Sequence, residues 1–229
     1  MRLNPIPTEL TTGATDALLA LLAAASLAYL RRRRAAQPWK VGLWVWLLAL
    51  LALASVLGAV AHGLDLAESV REALWHPLFL ALGLVVALFV VASIHDRFGS
   101  PAARRALLPL LGIGVAFYAV TRVFTGTFLV FVLYEALAMV VALALYQSVA
   151  VRTRTRWSRL MVVGIALNIA AAGIQAGGSA RLNLGVPLDH NGIFHLVQMV
   201  AVVVLAAGVA GSLDETLEKS TGSEQDTRT

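Results

Sequence analysis

Seven runs of roughly twenty apolar residues follow one another along the chain, and a helix of that length matches the hydrocarbon thickness of a bilayer. They fall at about 11–30, 41–64, 74–94, 106–124, 128–148, 160–175 and 190–211, with a polar tail at 212–229. A membrane β-barrel would alternate polar and apolar residues instead of staying apolar for twenty. A soluble domain is excluded by composition. The 229 residues are 59% hydrophobic and 14% charged, with a mean hydropathy of +0.80, against ~45–50% and ~25% in soluble domains. The chain is therefore expected to be an all-α polytopic membrane protein, a single seven-transmembrane-helix bundle over 1–229. No connection is long enough for a further domain. The first ten residues do not read as a cleaved signal peptide.

Charge fixes the expected direction. Alternate connections carry 14 Lys and Arg on one side, including Arg31 to Arg34, Lys40, Arg97 and Arg152 to Arg159, against four on the other. By the positive-inside rule the N-terminus is outside and the C-terminus inside. The net charge of +5 thus reflects topology and not a nucleic-acid partner. Membrane lipids are the expected partners, and the oligomeric state is left open. Zero cysteines exclude a disulfide, a thiol nucleophile and a thiolate-held iron–sulfur cluster. No expected span contains a lysine, which disfavours a retinal Schiff base.

An ionisable group costs several kcal/mol in hydrocarbon unless paired or hydrated, so its depth is informative. Nearly all polar residues fall in the outer half: Asp16, Ser55, His62, Tyr118, Arg122, Glu135, Asn168 and Gln175, then His190, Asn191, His195 and Gln198. Ser55, Gly58, Ala59 and His62 share one helical face, as do Asn191, His195, Gln198 and Met199. Three imidazoles with carboxylates suit catalytic zinc, which uses three protein ligands and leaves a position for water. In that reading His62, His190 and His195 are the ligands. Asp16 or Glu135 carries the proton, and Ser55 or Arg122 stabilises the oxyanion. Tyr118, Asn168, Asn191 and Gln198 line the substrate. The substrate expected at that depth is an outer-leaflet lipid amide or ester. The plainer readings are that Asp16 caps the first helix, that Glu135 and Arg122 form a structural pair, and that His95 is solvated. Two functional alternatives stand beside hydrolysis. One is a bis-histidine haem b protein; the other is a proton- or anion-coupled transporter or sensor using Asp16, Glu135 and Arg122.

The seven spans, the histidine of span two and the histidines opening span seven resemble the membrane hydrolase superfamily of alkaline ceramidases, progestin/adiponectin-receptor-like and Per1-type proteins. Its pattern is S-x3-H in span two, an aspartate near span three and H-x3-H in span seven. Here Ser55 precedes His62 by seven positions, Asp65 lies just outside span two, and Asn191-x3-His195 stands with His190 one position off. The strings Thr15-Asp16, His62-Gly63 and His190-Asn191-Gly-Ile-Phe-His195-Leu-Val-Gln198 are more similar to an uncharacterised bacterial seven-helix family. The resemblance implies metal-dependent hydrolysis and a bacterial inner (plasma) membrane.

Overall fold

A computed structural model describes residues 2–124 and 129–226. Seven helices carry the apolar runs: α1 Pro7–Arg31, α2 Pro38–Gly63, α3 Glu68–Phe98, α4 Ser100–Val123, α5 Leu129–Thr153, α6 Arg156–Gly177 and α7 His190–Asp226. All seven are long and apolar enough to cross a membrane. The expected turn at Thr125-Gly126-Thr127 lies outside the described residues. A two-stranded antiparallel hairpin, Leu182–Asn183 with Pro187–Leu188, joins α6 to α7.

The helices outrun the apolar runs, because polar residues at their ends find partners on neighbouring helices. The last turns of α7 continue into the polar tail. There Asp214 pairs with Arg33, Thr216 accepts from Gln37, and Glu215 accepts from the Trp157 indole at 2.6 Å. At the N-terminus, a bridge between Leu3 and Leu64 and a hydrogen bond from Asn4 to Gly63 tie the first residues to the end of α2.

Six helices close into a ring in the order α1, α2, α3, α5, α6, α7, and α4 packs outside it, mainly against α3. That crossing is tight: a methyl group on Gly83 would stand 2.6 Å from the Gly114 carbonyl oxygen. Only two glycines facing each other permit it, as in small-residue contacts between membrane helices. Most of α4 consequently stays exposed. Mid-bundle, the ring is filled by an apolar core that includes Leu47, Leu51, Val91, Ile165, Leu205 and Val209.

Candidate functional site

Helix direction divides the bundle into two ends. The face bearing the chain's N-terminus also holds the ends of α2, α4 and α6 and the starts of α3, α5 and α7. Into this face opens a cavity of about 970 Å³, lined by Asp16, Ser55, His62, Arg122, Glu135, Gln175, His190, Asn191, His195 and Gln198 among others. Residues scattered over most of the chain thus reach one space. Helices α3 and α4 also contribute to its wall, through Trp75 to Val86 and through Thr121 and Arg122. Tyr118 and Asn168 are not among the lining residues. Tyr118 packs edge-on against His76, and Asn168 has a buried carbonyl oxygen without a hydrogen-bond partner.

Asp16 and His195 form the centre. Asp16 lies about two and a half turns inside α1, so it is not that helix's cap. It fits between α1 and α2 because position 58 has no side chain: a methyl group there would stand 2.6 Å from Asp16 Oδ2. Both groups are buried, and His195 Nε2 lies 3.3 Å from Asp16 Oδ1. The other ring nitrogen, Nδ1, is 2.9 Å from the Thr15 hydroxyl, which also reaches the Thr12 carbonyl at 2.9 Å. A second Thr12 contact fixes α7 against α1. Its hydroxyl donates to Asp189 Oδ1, which also accepts from the Gly192 amide and caps α7.

This arrangement overturns the zinc-hydrolase expectation. Among the described residues no group of three or more His, Asp or Glu is placed to hold a metal ion. The reason lies in the imidazoles. His195 has both ring nitrogens committed, to Thr15 and Asp16, so neither is free to serve as a metal ligand. His62 turns aside onto Glu9, with Nδ1 2.7 Å from Oε2, and its ring stands edge-on to Trp75. Among the described residues His62, His190 and His195 are not gathered into a metal-holding group, so lipid amide or ester hydrolysis through a zinc-bound hydroxide has no centre here. Axial ligation of haem b by His195 fails for the same reason, since an axial histidine needs an uncommitted nitrogen.

The remaining charged residues sort themselves differently from expectation. No ion pair joins Arg122 to Glu135 among the described residues; Arg122 Nη1 instead meets the His76 ring, 2.6 Å from Nδ1. Glu135 is 6% exposed, and its Oε2 has no hydrogen-bond partner. Gln175 donates to Asn191 at 3.2 Å while its own carbonyl oxygen has none.

A second polar centre lies at the opposite end, where the sequence shows only loop charges. Lys40 belongs to α2 and is buried, its Nζ 2.7 Å from Asp96 Oδ1 and 2.7 Å from the Ser212 hydroxyl, to which it donates. Tyr146 donates to Asp96 Oδ2 at 2.9 Å, and His95 bridges Asp96 Oδ1 and Ser100. His95 is thus not solvated; it packs on Trp39 with centroids 5.3 Å apart. The network ties α2, α3, α5 and α7 together below the apolar core.

These features define a membrane-spanning seven-helix bundle with a polar cavity at one end and a buried ionic network at the other. The chain belongs to the family of unknown function DUF6962, whose model matches residues 11–214. Neither the curated proteins nor the solved structures contain a match to it. Of the resemblance to ceramidase-like hydrolases, the apolar seven-helix architecture is what stands.

Proposed function

We propose that this protein is a proton-coupled membrane transporter in which the Asp16–His195 pair carries the proton. The observation that carries the proposal is the pair's setting: a carboxylate and an imidazole in contact at membrane depth, beside a large cavity and backed by the Thr15 hydroxyl. When Thr15 donates to the Thr12 carbonyl, Nδ1 donates to Thr15 and one proton lies between Nε2 and Asp16. When Thr15 turns to donate to Nδ1, Nε2–H donates to an ionised Asp16. The pair thus holds one proton more or less with its contacts intact, as a relay requires. The apolar core and the Lys40–Asp96 network beneath separate the cavity from the other face, as in a transporter open on one side.

The test is proton entry into proteoliposomes holding a pH-sensitive dye, under an imposed pH gradient. Entry above protein-free liposomes, falling several-fold in Asp16→Asn, is the expected result; equal entry in that variant contradicts it. We place the cavity on the outer face, N-terminus outside, on the strength of the 14-to-4 charge split. With no native cysteine, one introduced as Leu184→Cys in the α6–α7 hairpin reports the side. An impermeant maleimide is expected to label it in intact cells, and labelling only after permeabilisation reverses the orientation.

A further inference from the structure

Glu135 is not used by the proton relay, yet it is a buried carboxylate on the wall of the cavity, and its Oε2 lacks a hydrogen-bond partner. A buried, unpartnered carboxyl is costly to ionise, and a cation arriving beside it offsets that cost. The wall around it is aromatic: Trp75, Phe79, Phe131 and Phe194 line the same space. Ring faces attract cations, most strongly where water is excluded. The charge of the lining points the same way. Among the described lining residues stand four carboxyl groups against one guanidinium: Asp16 lies on His195, Glu68 pairs with Arg71 and Arg122 is engaged with His76, which leaves Glu72 and Glu135 in excess.

From the cavity, its aromatic wall and its uncompensated carboxylate we infer that the site binds a monovalent organic cation with an apolar or aromatic body. Glu135 is its counter-ion and the rings enclose it. An anion would meet an excess of carboxylates. A neutral molecule would leave the charge of an ionised Glu135 unbalanced. As the cargo of the proposed transporter, the cation would exchange against the proton held by Asp16 and His195. To that extent the inference rests on the transport reading, while the binding site itself does not.

The test is isothermal calorimetry on the full chain in detergent with three probes of similar size: phenyltrimethylammonium, benzyl alcohol and benzenesulfonate. The cation is expected to bind about tenfold or more tightly than either of the others. That preference is expected to vanish in Glu135→Gln and to survive in part in Glu135→Asp. Equal binding of the three probes, no binding of the cation, or an undiminished preference in a folded Glu135→Gln would each overturn the inference. The two claims separate cleanly. Cation binding that depends on Glu135 without proton entry sinks transport and leaves the site, whereas proton entry without cation preference does the reverse.

Discussion

Asp16 and His195 lie 179 positions apart in the chain, and three small details bring them into register. Gly58 leaves room for the carboxylate, Thr12 holds the start of α7 through Asp189, and Thr15 presents its hydroxyl to the far side of the ring. The last of these is open to a conservative test. Thr15→Val keeps shape and removes the rotor, leaving Nδ1 unpaired at a cost of about 1–3 kcal/mol. A modest fall in melting temperature is expected, together with a loss of proton entry well beyond what the remaining folded protein explains. Full proton entry in this variant would remove Thr15 from the relay. The sequence exposed Asp16 and His195 as intramembrane polar residues, but could not show what their side chains face. An imidazole beside a carboxylate reads equally as a metal ligand or as half of a proton pair. The difference is made by the second nitrogen, which only packing reveals.

The apolar run of α2 begins at Val41 and that of α3 ends at Ile94, so Lys40, His95 and Asp96 read as loop residues by one or two positions. Those few positions hold the buried network. A lysine at the start of an apolar run has the same appearance whether it orients the chain or pairs inside the bundle; a carboxylate at the matching end of α3 was the available signal. Removing one partner of a buried pair strands the other charge, at about 3–5 kcal/mol. Lys40→Met is therefore expected to lower the melting temperature in detergent sharply, and Lys40→Met with Asp96→Asn to recover most of the loss. Two effects that simply add would mean that Lys40 and Asp96 act independently. The outward position of α4 follows from the Gly83–Gly114 contact, a pair whose partnership no single-helix pattern displays.

For the whole molecule, the seven apolar helices were fully legible, since their length and composition alone fix an all-α membrane bundle. The gathering of polar residues at one end was legible too, because depth follows from position within a span. Their chemistry was not, because it depends on the ring closing through α1 with α7 and α3 with α5. The bundle that results has a polar cavity at one end, an apolar middle and a buried ionic network at the other end. In the proposed transporter protons enter through Asp16 and His195, and with no cation cargo present Glu135 takes no part in that step. Dye-reported proton entry compared across the wild type, Asp16→Asn and Glu135→Gln tests this most directly. In cargo-free buffer, entry is expected to be retained in Glu135→Gln and lost in Asp16→Asn; entry lost only in Glu135→Gln, or unchanged in both, would contradict the proton relay.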